Sequence, residues 1–252
     1  AIRALISTAA VAGGVDPDRL SFTRALRAAR RSVRRSSDAS TGLAVSRQLL
    51  AGINNLGLPC AVEFLDPNTP QYIADLVSWG EVGARTTESQ IHRQLASGLS
   101  MPIGFKNSTE GNSKVAIDAM IAAAGSHTFF GIDTSGQVAV VKTAGNPDTH
   151  IVLRGSNKGT NYDEVSISKT VDLVQERGLL TECNRPIMID CSHGNSAKDH
   201  KQQSNIVENI LEQIQKGQHR IMGMMIESNL HEGQQNWIAG KQPEYGISIT
   251  DA

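Results

Sequence analysis

The sequence predicts an α/β protein on a parallel sheet, at the scale of a single β/α barrel. Three observations carry this. From residue 41 onward, short apolar runs alternate with helical patterns of ten or more residues, the signature of repeated βα units. The apolar runs are nearly continuous rather than alternating, as strands buried on both faces require. Finally, 252 residues with 39% hydrophobic content supply one sizeable core, and a β/α barrel commonly has this length.

The elements follow in order. Residues 1–38 hold eight Arg, no Lys and three Asp, about +5, against about −6 for the rest of the chain. That asymmetry marks two segments of different character. Within the first, Asp16-Pro17 is a helix-start signal, and Phe22, Leu26, Ala29 and Val33 fall at helical spacing between arginines. The expected division is therefore an Arg-rich segment at 1–38, helical or disordered, followed by an α/β domain at 39–252. In that domain the expected strands are Cys60–Leu65, Val82–Arg85, Pro102–Lys106, His150–Arg154, Pro186–Asp190 and Ile221–Glu227. The expected helices span 41–55, 70–79, 89–99, 113–124, 163–178 and 199–216. Runs at Thr128–Ile132 and Val138–Lys142 flank Ser135-Gly136 and read as an inserted β-hairpin.

Composition removes several function classes. A net charge of −1 exerts no general pull on nucleic acid or membrane. Arg24, Arg27, Arg30, Arg31, Arg34 and Arg35 form a basic stripe, but most such runs are solvated faces, so nucleic-acid binding is the minority reading. No apolar run approaches the ~20 residues of a membrane span. A short signal-peptide core ending at Ala10-Val11-Ala12 is likewise a minority reading. The first residue is Ala rather than Met, so a start further upstream is expected. Cys60, Cys183 and Cys191 are too few and too widely spaced for a disulfide framework or a zinc finger, which makes a reducing cytoplasm the expected location.

The informative pattern lies at the strand ends. Glu63, Arg85, Lys106, Arg154, His193 and Glu227 close, or directly follow, successive expected strands. Charged residues end single strands simply because strands end at the surface. Six in succession favour one rim, the place where a β/α barrel keeps its chemistry. Arg85, Lys106 and Arg154 would form a cationic cluster suited to a phosphorylated carboxylate, with Glu63 offsetting charge or orienting water. A structural salt-bridge network is the alternative. His193, Glu227 and Asp251 form a second group, one imidazole and two carboxylates, matching a divalent transition metal. Taken singly, each is more often a hydrogen-bonded structural residue. Together the two groups suit the joining of an enol phosphate to an aldehyde.

At these residues the sequence resembles the class I 3-deoxy-D-arabino-heptulosonate 7-phosphate synthases of the microbial, aromatic-feedback-regulated type. The resemblance runs from about Thr41 to the C-terminus. Its most specific stretch is Gly83 to Asn107, reading GARTTESQIHRQLASGLSMPIGFKN. Further motifs are Glu63-Phe-Leu-Asp66, His150 to Gly155, Met188 to Asn195, Met225 to Ser228 and Tyr245 to Asp251. The resemblance implies a (β/α)8 TIM barrel, here with about six of the eight strands and an inserted hairpin. It implies condensation of phosphoenolpyruvate with erythrose 4-phosphate, opening aromatic amino-acid biosynthesis. Arg85, Lys106, Arg154 and the backbone at Ala84 match the family's phosphoenolpyruvate contacts, and Glu63 matches an active-site carboxylate. His193, Lys106 and Glu63 are the candidate catalytic residues. His193, Glu227 and Asp251 match metal ligands for Mn²⁺, Fe²⁺, Co²⁺ or Zn²⁺. The intact family is expected to be homo-oligomeric.

Two family motifs do not occur in this sequence. One is Gly-Pro-Cys-Ser, whose Cys is the fourth metal ligand. The other is Lys-Pro-Arg-Thr, which holds both phosphorylated substrates. None of the three cysteines replaces that ligand on sequence grounds. The expectation is a truncated synthase joined to an unrelated basic segment, with little or no turnover. The rival readings are a related eight-carbon sugar acid phosphate synthase, an inactive gene fragment, and a fusion whose basic segment binds nucleic acid.

Overall fold

In the computed structural model the described residues are 4–5, 39–133, 135–179, 187–238 and 240–249. The chain divides into two compact units. The first comprises 1–105 with 118–149, and the second 106–117 with 150–252.

The first unit is organised around β2 (Ala61–Glu63), β3 (Trp79–Val82) and β4 (Ile103–Lys106), which run parallel in that order. α1 (Ala39–Asn54) precedes β2, and between the strands lie α2 (Pro70–Ile73), a 3₁₀ turn at Ala74–Leu76, and α3 (Gln90–Ser97). Phe64, Leu50, Ile53, Ile73, Ile103 and Phe105 are fully buried here, each contributing roughly 1.5–3 kcal/mol relative to exposure. The strand expected at Val82–Arg85 lies earlier. The chain leaves the sheet at Gly83, whose carbonyl accepts from the backbone N–H of Thr86 and Thr87. That turn ends the ladder. The helix expected over 70–79 stops at Ile73 and tightens to 3₁₀, because Ser78 N–H donates to Cys60 and Trp79 already belongs to β3.

A two-residue strand, β1 (Ala4–Leu5), pairs antiparallel with Ala61–Val62 on the edge of β2. It falls in the segment expected to be helical or disordered; the rest of that segment lies outside the described residues. The expected hairpin forms as β5 (Thr128–Ile132) and β6 (Val138–Lys142). Asp133 Oδ1 accepts from the backbone of Ser135 and Gln137 to close it.

The second unit holds β7 (Thr149–Leu153), β8 (Ile187–Asp190) and β9 (Ile221–Met225), again parallel and in that order. The strand expected at Ile221–Glu227 thus ends two residues sooner, and Pro186 lies outside the described residues. The unit's helices are α5 (Glu164–Glu176), N-capped by Asp163 accepting from Ser166 N–H, and α6 (Gln202–Gln215). The remaining helix, α4 (Lys114–Ala124), begins in this unit and ends in the first. Ile151, Leu153, Ile167, Val174, Ile187, Ile189 and Ile210 make the apolar centre of the second unit. Among the described residues, no helix is long and apolar enough to cross a membrane.

Candidate active site

The carboxyl ends of β7 and β8 and the residues just after β4 are tied together by three asparagines. Asn107 is fully buried. Its Oδ1 accepts from Arg154 N–H at 2.9 Å and from Asn161 Nδ2 at 3.1 Å, and its Nδ2 donates to the carbonyls of Ser108 and Gly155. Asn161 accepts from Gly155 N–H and donates its own N–H to Asn195 Oδ1. Asn195 donates to the carbonyls of Leu153 and Asp190. Each amide offers donors and acceptors in a plane, so together they satisfy backbone groups left over where the strands stop. Gly155 permits the closest approach. It has φ +71°, and a Cβ there would collide with the backbone of Gly194 and Asn195.

On this frame stands a line of charged groups. Lys106 Nζ lies 3.0 Å from Asp190 Oδ2, and that oxygen lies 2.8 Å from His193 Nδ1. His193 Nε2 faces Glu227 Oε1 at 3.7 Å. Asp190 has no exposure, and the side chains of Lys106 and His193 are 6% and 12% exposed. Burial alone would raise the Asp190 pKa. The Lys106 ammonium, His193 and the Ser192 hydroxyl outweigh it and hold the carboxyl well below the usual carboxylate range. His193 has φ +50°, a left-handed conformation uncommon outside glycine and costing on the order of 1 kcal/mol. Glu227 is held by its backbone: Gln203 of α6 accepts from its N–H at 3.0 Å and donates to its carbonyl at 2.7 Å.

Arg154 is also buried, and its Nη1 has no hydrogen-bond partner among the described residues. A buried guanidinium nitrogen left unpaired is costly, and an anionic ligand would relieve it.

The first unit places Glu63 at the end of β2 and Arg85 on the turn after β3. A side chain at Gly83 would collide with the Glu63 carboxylate, so the glycine makes room for it. Arg85 is exposed and Ala84 partly so. The turn is secured by Thr87 Oγ1 donating to Gly83 O and Arg93 Nε donating to Thr87 O.

The structure therefore brings Lys106, His193 and Glu227 together, and Arg154 is joined to the same frame through Asn107 and Gly194. It positions Glu63 beside the Gly83 turn in the other unit. Glu63 and Lys106 close their strands; Arg154 follows its strand by one residue, Glu227 by two, and Arg85 and His193 by three. Asp251 lies outside the described residues. For a cation, His193 and Glu227 are two adjacent donors of suitable chemistry, and among the described residues no group of three is present. Cys191 is a poor thiolate ligand, because burial and the adjacent Asp190 charge push its thiol up to about 12. Burial also raises the Cys60 thiol, and Cys183 lies outside the described residues.

Sequence reasoning missed Asp190, Gln203 and the three asparagines. Asn107 and Asn195 carried a signal, since each sits just past a strand inside a quoted motif. Asn161 and Gln203 carried none.

A sequence model described as the DAHP synthetase I family matches residues 25–252. The Tyr-sensitive phospho-2-dehydro-3-deoxyheptonate aldolase of Escherichia coli K12 is 50% identical over 222 residues, covering 86% of this chain and 60% of that protein. The phospho-2-dehydro-3-deoxyheptonate aldolase of Corynebacterium glutamicum is 49% identical over 221 residues, 85% of this chain and 58% of that one. A solved structure of phospho-2-dehydro-3-deoxyheptonate aldolase from Francisella tularensis SCHU S4 superposes with a TM-score of 0.77 at 47% identity, covering 85% of this chain and 62% of that chain. The fold class is thus the α/β barrel type; among the described residues each unit holds three strands that run parallel to one another. The chain spans about 60% of the length of these relatives.

Proposed function

The chain belongs to the DAHP synthetase I family, and on that premise we propose that it carries the enol-phosphate and cation sites of a phospho-2-dehydro-3-deoxyheptonate aldolase. The substrates are phosphoenolpyruvate and erythrose 4-phosphate. The observation that carries the reading is the Lys106–Asp190–His193–Glu227 line, together with a buried Arg154 whose Nη1 has no hydrogen-bond partner among the described residues.

Arg154 and Lys106 bind and orient the anionic donor. Arg154 offers a fixed planar fork and Lys106 a point charge. Their burial strengthens both contacts by excluding water. Carbon–carbon bond formation joins the enol carbon of phosphoenolpyruvate to the aldehyde carbon. Water then adds at the adjacent carbon, and the tetrahedral centre expels inorganic phosphate. His193, Glu227 and Asp251 would hold a divalent cation, Mn²⁺, Fe²⁺, Co²⁺ or Zn²⁺. When bound, that cation supplies Lewis acidity at the aldehyde oxygen.

The test is calorimetric titration of the purified chain with phosphoenolpyruvate, followed by an assay with both substrates and Mn²⁺. Saturable phosphoenolpyruvate binding, lost in Arg154→Ala, is the expected result. Turnover well below that of a full-length relative is expected, because misplacing one reactant costs on the order of 10²-fold and the sequence contains no Lys-Pro-Arg-Thr. A chain that binds arabinose 5-phosphate productively and ignores erythrose 4-phosphate would sink the substrate assignment.

A further inference from the structure

The proposed reaction gives the fully buried Asp190 carboxylate no role. Asp190 closes β8, and both of its oxygens are engaged. Oδ1 accepts from Ser192 N–H at 2.9 Å and from the Ser192 hydroxyl at 2.6 Å. Oδ2 meets Lys106 Nζ at 3.0 Å and His193 Nδ1 at 2.8 Å.

Proton positions follow from this arrangement. An ionised carboxylate only accepts, so Nδ1 can meet Oδ2 only as a donor. The Ser192 oxygen also lies 2.8 Å from Nδ1, but its proton is already directed to Oδ1. It too presents a lone pair to the ring. Both neighbours of Nδ1 are therefore acceptors, which fixes the proton there and leaves Nε2 as the nitrogen facing Glu227. At 3.7 Å, Nε2 and Glu227 Oε1 are too far apart for a hydrogen bond. The gap lies between two donors of electron pairs. In metal sites, a carboxylate on the far ring nitrogen plays this part for the ligating histidine.

We propose that Asp190 is a shared positioning residue. It holds His193 in the Nδ1–H tautomer with Nε2 facing Glu227, and the same Oδ2 anchors the Lys106 ammonium. The groups that face a cation and the group that faces the enol phosphate are thus set by one tether. This inference rests on the functional reading above only for the identity of the two ligands. The proton placement stands on the geometry alone.

The experiment has two arms. The first uses the chain labelled with ¹⁵N-histidine, observed by long-range ¹H–¹⁵N NMR at alkaline pH, where free imidazole is neutral. His193 is expected as the Nδ1–H form, with the Nε2–H form rising in Asp190→Asn. Wild-type His193 in the Nε2–H form overturns the proposal without any variant, which matters because Asp190→Asn leaves Lys106 without its counter-charge and can unfold the chain. The second arm measures Mn²⁺ and phosphoenolpyruvate affinities separately. Asp190→Asn is expected to weaken Mn²⁺ by about 10- to 100-fold and to weaken phosphoenolpyruvate as well, whereas His193→Ala loses Mn²⁺ alone. A folded Asp190→Asn chain that keeps wild-type affinity for either ligand overturns the shared tether. A wild-type chain that binds neither ligand overturns the functional reading, and the histidine measurement still decides the proton placement.

Discussion

In the second unit, Lys106, Asp190, His193 and Glu227 form a line of charges buried at Lys106 and Asp190, and backbone near them is pinned by Asn107, Asn161 and Asn195. In the first unit, Arg85 stands exposed on a turn and Glu63 is half-buried against Gly83. One region holds its charges by making each of them structural. The other holds them by shaping a turn and leaving the charge in water. The difference teaches that the same kind of residue, a cation at a strand end, can be essential to the fold in one place and dispensable to it in another.

The largest effect that follows is at Lys106. Lys106→Met is expected to destabilise the chain by about 3–5 kcal/mol, because it strands a buried Asp190 carboxylate without its cation. Arg85→Ala is expected to change stability by no more than about 0.5 kcal/mol. Urea unfolding of both variants checks this, and equal losses would break the comparison.

Glycine substitutions sharpen it. Gly155→Ala meets immovable backbone at Gly194 and Asn195 and adds a left-handed penalty, so a loss of about 3 kcal/mol is expected. Gly83→Ala meets only the end of the Glu63 side chain, which can swing away at a cost of about 1 kcal/mol or less. Thermal melts of the pair would show whether the first unit yields where the second does not.

His150 of β7 gives a pH signature to the second unit. Burial lowers its folded pKa to about 4 from an ordinary 6.5. Between those values the unfolded chain binds a proton that the folded chain refuses, so stability is lost as pH falls from about 6.5 to about 4, by up to roughly 3 kcal/mol. His150→Gln should flatten that slope in urea titrations run across the window. An unchanged slope would assign the acid sensitivity elsewhere. The smallest effect is expected at Arg47, whose fork on Asp75 is exposed at 2.6 and 2.7 Å. Arg47→Ala should leave the unfolding midpoint nearly unmoved at moderate salt, since exposed pairs contribute little.

The strands were legible in the sequence because buried parallel strands are short, apolar and flanked by turn residues; β4 and β8 were found within one residue of their observed limits. The hairpin was found without error because Asp133 and Gly136 write their turn locally. The strand expected at Val82–Arg85 was displaced because its end is set by hydrogen bonds from Thr86 and Thr87, which apolar pattern does not encode. In the site, residues with an obvious charge at a strand end were readable one at a time. Asp190 was not selected, although it is also charged and closes a strand. Its meaning comes from Lys106, 84 positions earlier, and such a partnership has no local spacing. Gln203 was unreadable for the same reason. A glutamine near a helix start resembles any solvated surface residue until the strand it clasps is known.

That clasp has a consequence for measurement. Because Gln203 occupies both the N–H and the carbonyl of Glu227, the amide proton at position 227 is shielded by a helix side chain rather than by a neighbouring strand. Its exchange with deuterated solvent should therefore keep time with the lifting of α6 and run independently of the opening of β9, making a single amide the clock for how often the acidic lip of the site comes loose.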